Sequence, residues 1–261
     1  MIKILGAIIG DIIGSPYEFY NTKDLNFDLF QVRSRPTDDT IMTLAVADWL
    51  VEDPTHSPEF LIEGMVLLGK QYPRAGYGKR FLDWLFLDNQ HKPYGSYGNG
   101  SAMRVSPIGL YAGSLEEVLY LSKVSAEVSH SHPEGIKGAQ AIASCMWLLR
   151  NGSTKDQIKE YIINTLGYKL PRLSEIRDTY SFDETCQGSV PIALESFLES
   201  TDFENSIRLA VSVGGDSDTI ACMTGSLSSC YYSIPENIAS ECYSRLDDIQ
   251  KGVMENFFNK I

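Results

Sequence analysis

Two short acidic stretches hold the residues best suited to chemistry: Thr37-Asp38-Asp39-Thr40 near the start of the chain and Gly214-Gly215-Asp216-Ser217-Asp218-Thr219 near its end. Each sets two carboxylates beside hydroxyl side chains. Each is followed by an apolar run, IMTLAVADWL in the first case and IACMTGSL in the second. Aspartates this close repel one another unless a positive charge sits between them. The plain alternative is two unrelated capped helices, the second beginning near Thr219, because Asp, Ser and Thr accept from the free N–H groups of a first helical turn. Repetition of the pattern favours two halves of one hard-cation site. Carboxylate and hydroxyl oxygens suit Mg²⁺ or Mn²⁺ and, in a tight cage, suit Ca²⁺ less. Zinc fits least, since neither stretch contains His or Cys.

The elements around these stretches read as helical. Gly6, Gly10 and Gly14 recur every four residues, so all three lie on one helix face and would let another helix approach closely. Pro16 stops that helix, and Tyr17-Glu18-Phe19 follows in a turn. Residues 22–36 are irregular. Over 39–51, Ile41, Leu44, Ala45 and Trp49 form a core-facing stripe. Ser57-Pro58 opens a helix over 57–70. Residues 72–100 mix glycines with aromatics around a short helix at 79–87, a composition that suits a binding surface. Helices follow from Leu115, from Gly135 to a stop at Asn151-Gly152, and over 153–166. Residues 168–187 are irregular, and SVPIALESFLES, DFENSIRLAVSV, TIACMTGSLSSCYYS and a segment from Pro235 to Asn259 close the chain. Strand-like alternation is nearly absent. The expectation is one all-α domain over residues 1–261, an orthogonal arrangement of roughly ten or more helices crossing at varied angles.

Composition narrows the function classes. The 261 residues include 34 acidic and 22 basic side chains, a formal charge of -12. That balance disfavours non-specific binding to nucleic acid or anionic membrane. An anionic small ligand stays compatible where a cation or backbone N–H groups reverse the local field. Five cysteines without a C-x-x-C pair point to reduced thiols, with Cys145 and Cys222 in apolar core runs. The opening MIKILGAIIGDIIGS is interrupted by Asp11 and lacks an A-x-A-like cleavage site, so it does not read as a signal peptide. We expect a cytoplasmic monomer with no membrane or nucleic-acid partner.

The segments GDIIGSPYEF, TDDT, SYGNGSAMRVSPIG, SHSHPEGIKGAQA, SVPIALESF and GGDSDT succeed one another over nearly the whole chain. In that order the chain resembles the ADP-ribosylglycohydrolases, the family of dinitrogenase reductase-activating glycohydrolase and the ADP-ribosylarginine and ADP-ribosylserine hydrolases. The resemblance implies an all-α fold with two Mg²⁺ or Mn²⁺ ions at the bottom of an ADP-ribose cleft. It implies Thr37, Asp38, Asp39, Asp216, Asp218 and Thr219 as metal ligands, and Glu18 as an acidic residue beside the metals. Cleavage at ribose C1 passes through an oxocarbenium-like state that needs nearby negative charge and an activated water. Glu18 and Asp216 are the expected catalytic carboxylates. Without the resemblance, Glu18 reads as a surface carboxylate after a helix end.

Gly95 to Ser101 reads as a phosphate cradle, although no G-K-[ST] follows as in a P-loop. The resemblance assigns Ser96, Tyr97, Gly98 and Asn99, with Gly100 beside them, to the diphosphate and adjacent ribose. It also places a histidine near the phosphates; the register favours His130 over His132, which otherwise read as cap or surface residues. Tyr180 and Phe182 are candidates to stack on adenine, whereas Trp49, Met103 and Val105 read as core. The implied reaction releases ADP-ribose from an ADP-ribosylated protein or small molecule. The rival readings are a non-catalytic ADP-ribose binder or crystallin-like relative, and a dimetal phosphodiesterase. The second is disfavoured by the scarcity of cations near the motifs, where Arg104 is the nearest. No motif names the leaving group, which would meet loops 20–36 and 72–95 at the rim.

Overall fold

The computed structural model describes residues 3–88 and 90–261. In chain order its helices are α1 (Leu5–Gly14), α2 (Asp38–Glu52), α3 (Pro58–Gln71), α4 (Lys79–Phe86), α5 (Gly100–Met103), α6 (Ser106–Tyr111), α7 (Leu115–Glu127), α8 (Pro133–Arg150), α9 (Lys155–Asn164), α10 (Leu173–Ile176), α11 (Cys186–Glu199), α12 (Phe203–Val213), α13 (Ser217–Tyr231), α14 (Glu236–Ser244) and α15 (Asp248–Lys260). Among the described residues there is no β-strand, only an isolated bridge between Gly98 and Thr185. The fold is all-α, as the periodicity predicts.

The fold is built on the pair α1 and α13. Every residue of α1 is buried, as a helix apolar on nearly all sides requires. Its glycines meet α13 as their spacing predicts. A Cβ on Gly10 would lie 2.0 Å from the Ala221 carbonyl oxygen, and one on Gly14 would lie 2.4 Å from Asp218 Cα. No side chain larger than hydrogen fits there, so the glycine face of α1 sets the contact. This contact brings the turn after α1, with Glu18, beside the start of α13. One buried apolar cluster runs from Ile4 to Phe257 and includes Trp49, Met103, Val105, Cys145 and Cys222 as expected. All five cysteines are free. No helix of the described residues is long and apolar enough to cross a membrane.

Several elements differ from the sequence-based expectation. The short helices α5, α6 and α10 are too brief for periodicity to register. The segment from Pro235 is two helices, because Asp247 and Gln250 form a capping box that starts α15 anew. α11 begins earlier than Ser189, at Cys186, where the Thr185 side chain accepts from the Gly188 N–H. α13 begins at Ser217, before Thr219, and the Asp216 carboxylate makes no cap bond there.

Candidate active site

The α2 half of the site follows ordinary capping. Thr37 is extended, and its Oγ1 accepts from the Asp39 N–H. The unexpected partner is Asp11, the one charged residue of α1. It is fully buried, and its carboxylate accepts from the Thr37 N–H at 2.9 Å, the Thr37 hydroxyl at 2.6 Å, the Thr40 N–H at 3.0 Å and the Thr40 hydroxyl. Three of these donors meet Oδ2 and one, the Thr37 hydroxyl, meets Oδ1. Asp11 therefore holds the first turn of α2 in place.

The α13 half is held by residues outside its motif. Gly214 and Gly215 sit at φ +77° and +73°, a left-handed pair that reverses the chain out of α12. Asn21 braces this turn: its Oδ1 accepts from the Gly215 N–H at 2.8 Å, and its Nδ2 donates to the carbonyls of Gly215 at 2.9 Å and Tyr17 at 2.6 Å. Lys23 Nζ donates to the Val213 and Tyr180 carbonyls. Asn21 thus ties the Glu18 turn to GGDSDT. Asp216, instead of capping, accepts from Asn99 Nδ2 at 2.7 Å.

The two halves meet at the floor of a cleft of about 440 Å³. Thr219 Oγ1 donates to Asp39 Oδ2 at 3.2 Å. Carboxylate oxygens of Asp11, Asp39 and Asp218 lie within 4.8 Å of one another, and so do those of Glu18, Asp216 and Asp218. Asp218 belongs to both groups. None of the site carboxylates forms a salt bridge among the described residues. Burial, then the neighbouring aspartates, push Asp38, Asp39 and Asp218 well above the usual carboxylate range. Glu18 is pushed up to about 7, first by burial and then by Asp216 and Asp11. Asp39 Oδ1 is buried with no hydrogen-bond partner, an expensive state for a carboxylate oxygen. Within the first group Asp11 Oδ2 is taken up by the start of α2, while Asp39 Oδ1 is open. This donor set, all oxygen, fits hard divalent cations.

Of the expected ligand residues, Ser96, Tyr97, Gly98, Asn99, Gly100 and His130 line the cleft, as do Glu18, Asp38, Asp39, Asp216, Asp218 and Thr219. Thr37 lies behind the lining, with its hydroxyl proton given to Asp11. His132 lies outside it: its Nδ1 accepts from the Glu134 N–H and caps α8. Tyr180 also lies outside, because its hydroxyl donates to the Gly188 carbonyl and its ring packs on Gly215. Phe182 does line the cleft and stacks on Phe19 at 6.3 Å between ring centroids. Asn99 serves the floor through Asp216, while its N–H donates to the Glu184 carbonyl at 2.8 Å.

The sequence matches the ADP-ribosylglycohydrolase family over residues 3–261. The chain belongs to that family. It is similar to human ADP-ribosylhydrolase ARH3, at 27% identity over 92% of this chain and 87% of the relative. It is also similar to the ADP-ribosylarginine hydrolase Tri1 of Pseudomonas putida, at 25% identity over 97% of this chain and 76% of the relative. A solved ADP-ribosylglycohydrolase-related protein complex shares the fold with a TM-score of 0.73 at 21% identity, covering 99% of this chain and 96% of that one. As an ADP-ribosylglycohydrolase the chain is a glycosyl hydrolase.

Within this ADP-ribosylglycohydrolase, sequence reasoning passes over Asp11, Asn21, Lys23 and Glu184. Asp11 does carry a signal, a lone charge in an apolar run, which marks a buried polar group with a task. Asn21 and Lys23 carry none, since their bonds go to backbone atoms of a distant turn. Glu184 lines the cleft and helps raise Asp216, again across sequence distance.

Proposed function

We propose that this protein releases ADP-ribose from an ADP-ribosylated acceptor by cleaving the glycosidic bond at ribose C1, with two divalent cations, Mg²⁺ or Mn²⁺, on the cleft floor. The observation that carries the reading is Asp218, shared by two carboxylate groups, one of which includes Glu18. Asp39, Asp216, Asp218 and Thr219, with Asp38 and Thr37 beside them, would hold the cations. Bound there, such cations would supply Lewis acidity and a hold on ribose hydroxyls. The surrounding carboxylates favour positive charge developing at C1. Glu18, grouped with Asp216 and Asp218, is placed to take a proton from an attacking water or return one to the leaving group. Asp216, fixed by Asn99, faces it as the second catalytic carboxylate. The Ser96–Gly100 loop and His130 form the wall that meets the diphosphate. Phe182 is the aromatic surface available to adenine or to the acceptor.

The test is release of free ADP-ribose from arginine-, serine- and O-acetyl-linked ADP-ribose, with Mg²⁺ or with EDTA, beside an Asp216→Ala/Asp218→Ala variant. Metal-dependent release from one substrate, lost in the variant, is the expected result and names the acceptor. ADP-ribose binding without release from any substrate would make the protein a reader and overturn the proposal.

A further inference from the structure

A buried cation borders the cleft beside the Ser96–Gly100 loop. Arg104, at the end of α5, is fully buried. Its Nη2 donates to the Ser125 carbonyl and to Ser129 Oγ at 3.1 Å, and its Nε donates to Ser125 Oγ at 3.4 Å. No carboxylate pairs with it among the described residues. Burial lowers it to about 10, so it stays protonated at neutral pH. A guanidinium only donates. Ser129 Oγ therefore accepts from Arg104, and the Ser129 proton must go elsewhere. Ser129 is fully buried, and the acceptor its hydroxyl reaches among the described residues is His130 Nδ1 at 2.7 Å. Nδ1 thus accepts, and a neutral His130 carries its proton on Nε2. Nε2 faces the cradle: Cβ atoms placed on Gly100 and Gly98 would lie 3.1 and 3.5 Å from it. Burial, Arg104 and Arg80 all hold the ring neutral.

We infer that Arg104 and Ser129 are positioning residues that fix His130 as an Nε2–H donor aimed into the Gly98–Gly100 cradle, where it meets an anionic oxygen of a diphosphate. The unpaired charge of Arg104 then finds its counter-ion in the ligand, through one hydroxyl and one ring. The identity of the ligand rests on the ADP-ribose reading; the direction of the relay does not.

The test reads the tautomer directly, by long-range ¹H–¹⁵N spectra of the full chain with labelled histidine. The chain has 4 histidines, and the signal of His130 is the one lost in His130→Gln. The expected spectrum shows a pyridine-like Nδ1 and a protonated Nε2. In Ser129→Ala the ring loses that lock and shifts toward the Nδ1–H form. ADP-ribose affinity then falls roughly tenfold, and the melting temperature falls as Arg104 loses a buried partner, while Mn²⁺ affinity stays near that of the parent. A parent spectrum with the proton on Nδ1, or a Ser129→Ala protein with unchanged tautomer and affinity, overturns the inference. An Nε2–H spectrum in a protein that binds no ADP-ribose leaves the relay standing and overturns only the ligand reading.

Discussion

The two acidic helix starts look alike in sequence and are built on different principles. The α2 start has its own cap, Thr37, and a brace from α1, where Asp11 takes the N–H and hydroxyl groups of Thr37 and Thr40. The α13 start lacks a side-chain cap and is held by Asn21, Lys23 and Asn99, each far away in the chain. At α2 the cap is the Thr37 hydroxyl, whereas at α13 Asp218 Oδ1 accepts from the Thr219 N–H at 3.0 Å and Asp216 is held by Asn99; the aspartates of both starts face the cleft. The difference teaches that GGDSDT carries the shared ligand because its shape is maintained from outside.

Substitutions break the comparison at each end. Asp218 belongs to both carboxylate groups and Asp38 to neither. Asp218→Ala should therefore cost at least about a thousandfold in turnover and abolish cation binding by calorimetry, with a smaller loss in Asp38→Ala. Equal losses would show that the floor is not organised around Asp218. Asp11→Ala should act on the other half, through stability. It strands two buried N–H groups and two hydroxyls, so unfolding in denaturant should show a loss of about 3 kcal/mol. Asn21→Ala removes bonds that are only partly buried and should cost about 2 kcal/mol. Its diagnostic effect is kinetic: kcat falls roughly tenfold with little change in KM, because Glu18 and Asp216 lose their common brace. If Asn21→Ala lowers stability alone, the brace is structural only.

The same contrast decides what could be read from the sequence. The glycine face of α1, both aspartate motifs and the Ser96–Gly100 loop are local patterns that residue type announces; the glycines meet α13 and the motifs and loop share one cleft. The plain alternative of an ordinary cap on a helix beginning near Thr219 is not what α13 shows: the helix starts at Ser217 without a side-chain cap, and Asp216 accepts from Asn99. The register favours His130 over His132 without deciding between them. They separate only when Ser129 and Glu134 are seen to engage them, one behind the cleft wall and one at the start of α8. Tyr180 and Phe182 separate in the same way, since Tyr180 is spent on Gly188 and Gly215. What escapes sequence is bracing through backbone atoms, which leaves no signature in the residue that supplies the acceptor.

The smallest expected effect sharpens the role of Glu18. Its ordinary value of 4.5 is raised to about 7 in the folded chain, by burial and by Asp216 and Asp11. Folded protein then binds more protons than unfolded protein between those values. The stabilisation is complete below about pH 4.5 and is lost as pH rises through about 7. Asp38, Asp39 and Asp218 shift in the same direction and add to the trend. In EDTA the melting temperature should therefore fall between about pH 5 and pH 8, and Mg²⁺ should restore more of it at the higher pH. Glu18 is only half-buried, so solvent screens its share to about 1 kcal/mol, or roughly 2–4 °C in a chain of this length. Glu18→Gln should flatten the EDTA slope by about that amount and leave the aspartate contribution. An unchanged slope in Glu18→Gln would mean that Glu18 does not feel the floor, and its place beside Asp216 and Asp218 would then not extend to its chemistry.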